Sequence, residues 1–239
     1  MINILPRKTT DTHGALVSAG GGNEEQGFLS TRYGGGNNRG FNYRVYAKGF
    51  NRGSEYHSDG DRNDRWGAAQ GGFRLDWVKN ERDSFTVQGD IYDERAGESV
   101  TLVNYAPPFK QIADGFAYLS GGNILGRWTR TFREGDDIQL QAYYDRTNRH
   151  EPNFGDIRDT FDVDFLQRFH AGSRHHLSWG LGGRASHGHE LATTTGLYFQ
   201  PANRTDQLFT AFLQDDIALI PKRLTLEIGT KLVHTNYTG

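Results

Sequence analysis

QLFTAFLQDDIALIPKRLTLEIGTKLVHTN, residues 207–236, decides the fold. Along its first arm Phe209, Ala211 and Leu213 point one way and Thr210, Gln214 and Asp216 the other, with Phe212 interrupting the polar set. Ile220, Pro221, Lys222 and Arg223 make a tight polar turn. Beyond it Leu224, Leu226, Ile228 and Leu232 alternate with Thr225, Glu227, Gly229 and Lys231. A period of two is the signature of a strand with unlike faces, and arms of about a dozen residues are long enough for a tilted strand to cross a bilayer. An antiparallel sheet with one wet face gives the same alternation, so the rest of the chain must arbitrate.

Working outward, strands are expected near 14–21, 27–35, 41–51, 66–77, 84–94, 120–132, 137–147, 159–168, 174–186, 207–219 and 224–235, about eleven in all. Their faces agree with the hairpin. Phe85, Val87 and Ile91 oppose Thr86, Gln88 and Asp90; Ile138, Leu140 and Ala142 oppose Asp137, Gln139 and Gln141. Phe161, Val163 and Phe165 oppose Thr160, Asp162 and Asp164; Leu177, Trp179, Leu181 and Ala185 oppose His176, Ser178 and Arg184. The 6 prolines, at 6, 107, 108, 152, 201 and 221, all avoid these strands, as a residue that cannot donate to a ladder should. Connections alternate between short (36–40, 78–83, 133–136, 169–173, 220–223) and long (52–65, 95–119, 148–158, 187–206), the parity of periplasmic turns and extracellular loops. Tyr43, Trp66, Trp77, Trp128 and Tyr144 lie at or near strand ends, where aromatic girdles sit.

Composition fits. Only 35% of the 239 residues are hydrophobic, while 13% are aromatic and 31 are Gly, a balance suited to long antiparallel strands. No window approaches 18 consecutive apolar residues, which excludes a transmembrane helix and leaves a transmembrane β-barrel untouched. The net charge of -2 gives no pull toward nucleic acid, and the absence of cysteine removes disulfides, thiolate metal sites and cysteine catalysis. The first residues lack a basic stretch followed by an apolar one, so an export leader would lie upstream of Met1.

INILPRK at 2–8, GALVSAGGGNEEQGFLSTRYGG at 14–35, FNYRVYAKGFNR at 41–52 and AFLQDDIALIPKRLTLEIGTKLVHTNYTG at 211–239 together resemble a TonB-dependent outer-membrane receptor. The last is the most specific, a strand, a Pro-basic turn and a strand running into Asn-Tyr-Thr-Gly. The resemblance implies an all-β, antiparallel transmembrane β-barrel, with residues 1–13 the end of a plug domain and 14–239 the N-terminal half of a barrel of about 22 strands. It also implies outer-membrane location, TonB as partner through the rest of the plug, and uptake of a small-molecule or metal-chelate ligand such as a ferric siderophore, cobalamin or a glycan. A porin-like channel without a gate and a soluble β-rich binding protein are the rival classes.

No catalytic residue and no cofactor is expected. Gly20–Gly22 and Gly34–Gly36 lack the lysine and helix of a phosphate loop, and no nucleophile elbow is present. Glu24 with Glu25, and Asp215 with Asp216, are adjacent in sequence and so face opposite ways in a strand, which is no acid–base dyad. His57, Asp59, Asp61 and Asp64 share a loop without a spacing that enforces metal geometry; His175, His176, His187 and His189 flank a strand as solvated residues. The expected ligand contacts are Tyr105, Phe109, Lys110, Phe116 and Tyr118, aromatics among charges in the long connection 95–119.

Overall fold

The computed structural model describes residues 6–58, 60, 63–191 and 199–237. They form one 11-stranded antiparallel sheet in which each strand pairs only with its neighbours in the chain. The strands are β1 (Gly14–Gly20), β2 (Glu25–Gly36), β3 (Phe41–Arg52), β4 (Trp66–Val78), β5 (Asp83–Val103), β6 (Lys110–Arg133), β7 (Asp136–His150), β8 (Gly155–Ala171), β9 (His175–Leu191), β10 (Asn203–Ile220) and β11 (Leu224–Thr235). β1 and β11 do not pair with each other, and all the prolines fall between strands or before them.

The register assigns the faces. Phe41, Trp77, Phe85, Trp128, Leu140, Phe165, Leu181, Ala211 and Leu232 are direct partners in succession from β3 to β11, an apolar rung without a break. The adjacent rung runs Asn42, Asp76, Thr86, Arg127, Gln141, Asp164, Gly182, Thr210 and Val233 and is polar up to its last member. A slip of one residue at any pairing would turn a strand's apolar set onto the polar face. Among the described residues Ala117 is the one buried hydrophobic residue, while Leu140, Leu181 and Ile228 are 42%, 53% and 57% exposed. A soluble protein of this size buries most of its apolar surface; this one leaves it exposed along one face of the sheet.

Polar side chains link strands across the other face. Arg74 donates to Gln88 at 3.2 Å, the Thr86 hydroxyl to Asp76 at 2.7 Å, Arg168 to Asp137 at 2.7 Å and Arg184 to Asp162 at 2.8 Å. Residues 6–13, including a 3-10 turn at Thr9–Thr12, lie on this face beside the short turns. The Thr9 hydroxyl donates to Asp76 at 2.8 Å, the Arg44 guanidinium to the Arg7 carbonyl at 3.1 Å, and His13 Nε2 lies 2.9 Å from Asn42 Oδ1. Thr9 and Thr12 are the most completely buried side chains described. The polar face is therefore the inner one.

Outside, the apolar band has a sharp upper limit. Arg146, Asp159, His187 and Thr205 are consecutive partners on the outward face, with Arg146 3.3 Å from Asp159 and the Tyr144 hydroxyl donating to Asp159 at 2.6 Å. From Asp136 to Arg146, at about 3.3 Å per residue and a tilt near 40°, β7 climbs roughly 25 Å, the height of an outer-membrane apolar band. Near its lower limit Trp77 stacks on Phe85 at 5.6 Å, and Trp128 Nε1 donates to Asp83 at 3.1 Å. Tyr43, Trp77, Trp128 and Tyr144 share the outward face, as a girdle requires. Trp66 does not: it pairs with Arg52 and Ala96 and faces inward.

The structure corrects the expected connections as well. The segment 95–119 is not a loop, because β5 continues to Val103 and β6 begins at Lys110, leaving 104–109 as the tip of a tall hairpin. Likewise β7 and β8 extend until only 151–154 separates them, no longer than the short turns 37–40 and 79–82. Beyond the band both faces are wet, so alternation stops although hydrogen bonding goes on. The asymmetry between the two ends of the sheet lies in hairpin height as much as in loop length.

Two outcomes follow. Leu140→Arg should cost roughly 2–4 kcal/mol in urea unfolding from lipid vesicles, and Gln139→Arg far less; equal costs would contradict the register. Gly40 in the 37–40 turn has φ +77°, and a Cβ there would lie 2.3 Å from the Val78 carbonyl oxygen. Gly40→Ala should cost about 1–2 kcal/mol or more in the same assay.

Candidate functional site

On the inner face, beyond the apolar band, β2, β3 and β4 end in an aromatic and charged cluster. The register brings Arg52 opposite both Glu25 and Trp66, with Phe50 one inward position below. Phe50 and Trp66 meet edge to face at 4.6 Å, and the Arg52 guanidinium lies 4.9 Å and 4.8 Å from the two ring centroids, with Glu25 at 3.3 Å. A guanidinium held by two rings and a carboxylate loses much of its rotamer freedom. Glu24, Glu55 and Asp64 complete the walls of a cavity of about 320 Å³ beside it.

The 53–65 loop is tied down by Asp64, which accepts from the Glu55 amide at 3.2 Å and lies 2.9 Å from His57 Nε2. The hydrogen bond from His57 holds the Asp64 carboxyl below the usual carboxylate range. Chemically, the cluster offers aromatic faces for stacking and carboxylates that accept hydrogen bonds from a ligand. Asp59 and Asp61 lie outside the described residues, and among those described no group of three or more His, Cys, Asp or Glu is arranged to hold a metal ion.

The structure does not bring the five expected ligand contacts together. Tyr105 and Phe109 stand at the hairpin tip, which the Asn104 amide closes by donating to the Phe109 carbonyl at 3.1 Å; Tyr105 is fully exposed. Lys110 is the first residue of β6. Phe116 and Tyr118 lie lower on β6, paired with Gly97 and Arg95 on the outward face, away from the interior. Asp215 and Asp216 do face opposite ways, the first toward His175 at 2.7 Å and the second toward Gln214 at 3.0 Å. His187 and His189 share the outward face, 2.9 Å from Thr205 and 2.5 Å from Asn203. Missed in the sequence were Glu25, Phe50, Arg52 and Trp66. The signal for Trp66 was parity: it is out of step with Phe73, Leu75 and Trp77, which mark the lipid side of β4.

No protein-family model matches the chain, and no curated protein does. Solved structures do. The siderophore receptor PirA from Pseudomonas aeruginosa aligns with a TM-score of 0.65 at 12% identity, over 93% of this chain and 37% of its own. A mutant of the ferric enterobactin receptor PfeA from the same organism gives 0.68 at 11%, over 94% and 39%. The unliganded ferric citrate transporter FecA gives 0.60 at 14%, over 94% and 36%. These neighbours are outer-membrane β-barrels.

This chain shares their fold.

It spans well under half the length of each, and its sheet, open between β1 and β11, matches one stretch of their walls. The neighbours are transport receptors, not enzymes.

His57→Ala should raise the Asp64 titration toward the ordinary carboxylate range, the hydrogen bond from His57 being the first of the causes that lower it. With the folded carboxyl below that range, its support for the loop is present above the ordinary pKa and fades as pH falls through the lowered one. Carbon-13 NMR of the Asp64 carboxyl checks both points; an unchanged titration in the variant would remove His57 as the cause.

Proposed function

We propose that this chain is the wall of a TonB-dependent outer-membrane receptor that takes up a scarce ligand, a siderophore-type metal chelate being the leading candidate. The observation that carries the proposal is the pair of adjacent rungs, one apolar and one polar across β3–β11, in a sheet that follows the walls of siderophore and ferric citrate receptors. The N-terminal segment seated on the inner face supports a receptor over an open channel, because it puts backbone of the same chain inside the wall beside Asp76 and Arg44. Residues 1–13 are then the end of a plug, through which TonB acts. Further strands complete the edges of β1 and β11, since unpaired backbone groups cannot be satisfied by lipid.

Ligand contact is assigned to two places at the loop end: the exposed hairpin tip with Tyr105, Phe109 and Lys110, and the inner cluster of Phe50, Arg52 and Trp66. The inner cluster offers stacking and charge within a cavity, and the tip offers aromatic side chains that can fold over a bound molecule.

The test is uptake of ferric siderophore by cells carrying the gene with its natural flanking sequence. A receptor loses uptake when a protonophore collapses the inner-membrane gradient; uptake indifferent to the protonophore would make the protein a passive channel. In the same cells an impermeant maleimide should label Ala106→Cys and leave Asn80→Cys unlabelled, and the opposite pattern would invert the topology. Tyr105→Ala with Phe109→Ala should weaken ligand binding about tenfold.

A further inference from the structure

At the short-turn end of the inner face, four consecutive partners make one rung: His170 on β8, His176 on β9, Asp216 on β10 and Glu227 on β11. Two imidazoles stand beside two carboxylates. The His170 and His176 rings have centroids 4.6 Å apart and planes tilted by 33°. Each ring is held by one of its nitrogens. His170 Nδ1 lies 2.6 Å from Asp136 Oδ1, and Asp136 is ion-paired with Arg133, so the carboxylate accepts and Nδ1 carries the proton. His176 Nε2 lies 3.0 Å from the Gly135 carbonyl oxygen, which can only accept, so here Nε2 carries it. The 134–135 turn reaches the pair because Gly135 has φ +80°; a Cβ on it would lie 2.7 Å from His170 Cε1.

These tautomers leave one lone pair on each ring. His170 Nε2 makes no hydrogen bond among the described residues, and His176 Nδ1 is 3.8 Å from Asp216 Oδ2, beyond hydrogen-bond reach. The nearby arginines are already paired, Arg133 with Asp136 and Arg168 with Asp137. Asp216 and Glu227 are not: among the described residues neither has a lysine or arginine within ion-pair distance, although they are direct partners on one face. Like charges set opposite each other on a sheet repel, and a cation on the rung relieves them. A cavity of about 250 Å³, lined by Thr131, Gly135, Asp137, Arg168 and His176, lies beside the rung.

We propose that His170 Nε2 and His176 Nδ1 chelate one late first-row divalent ion, Zn(II) or Cu(II), with waters completing its shell and Asp216 supplying negative charge beside it. Neutral imidazole suits these ions, whereas Mg(II) and Ca(II) take oxygen ligands. A ring whose other N–H donates to a carboxylate or carbonyl is oriented as metal-binding histidines are. The site ties β8 to β9 at the opposite end of the sheet from Phe50, Arg52 and Trp66. The inference depends on the register and is independent of what is taken up.

The test uses untagged protein expressed from the gene with its natural flanking sequence, purified in detergent, stripped with a chelator and titrated with Zn(II) against a chromophoric indicator. The wild type should hold one more tightly bound ion than His170→Gln with His176→Gln. Asp216→Asn should weaken that ion about tenfold, and each single histidine change should weaken it further. His175→Gln, beside the same turn but on the outward face, should bind as the wild type does. Cu(II) added at one equivalent should show nitrogen hyperfine coupling from two imidazoles in its paramagnetic resonance spectrum, a measurement that needs no variant to fold. Equal zinc counts in the wild type and the double variant, an equal loss in His175→Gln, displacement by millimolar Mg(II), or a Cu(II) spectrum without nitrogen coupling would overturn the proposal.

Discussion

In a hydrocarbon layer no water is available to a peptide group, so every backbone N–H and C=O must find its partner within the protein. The rest of this structure depends on that constraint. It removes irregular backbone from the lipid zone, confines proline and most turn residues to the two ends of the sheet, and makes register the variable that decides everything else. Once Phe85 pairs with Trp128 and Trp128 with Leu140, the position of every side chain in those strands relative to the bilayer is set. The inner face then has no choice but to carry the polar residues, which bind one another across strands, as Arg168 does Asp137 and Arg184 does Asp162.

The same constraint explains the glycines and aromatics. On the inner face Tyr46 is the direct partner of Gly72, Tyr92 of Gly121 and Phe212 of Gly180. A Cβ on those glycines would come within 2.7, 3.0 and 2.5 Å of ring carbons of the respective side chains. Each ring covers its cross-strand glycine, shielding a bare stretch of ladder that no side chain of its own protects. Phe212, which interrupts the polar alternation of β10, is thus no breach of the pattern: it faces inward as parity demands and covers Gly180.

Strand existence and facing were legible in the sequence because a period of two is dense evidence, repeated on strand after strand and policed by the prolines. Strand ends were less so. Between residues 95 and 119 the alternation lapses, since above the membrane both faces meet water, and nothing local distinguishes a wet strand from a loop. The inner cluster was harder still. Glu25, Arg52 and Trp66 meet only because three strands share a register, which is a property of the pairing and not of any one segment; the parity of Trp66 pointed inward, but its partners could not be read from spacing. Phe116 and Tyr118 illustrate the converse: aromatics in a connection suggested a ligand contact until the continuation of β6 fixed them on the outward side.

No helix among the described residues is long and apolar enough to cross a membrane, although the folded sheet presents a hydrophobic surface from edge to edge. Both facts come from one arrangement, the interleaving of each apolar residue with a polar one. Any machinery that recognises a spanning helix by weighing about 20 consecutive residues at a time would meet only the average of the two and find nothing to retain. The greasy surface comes into being later, when strand pairing sorts the alternating residues to opposite sides. Hydrophobicity in this protein is a product of folding, kept out of sight in the unpaired chain by its own period.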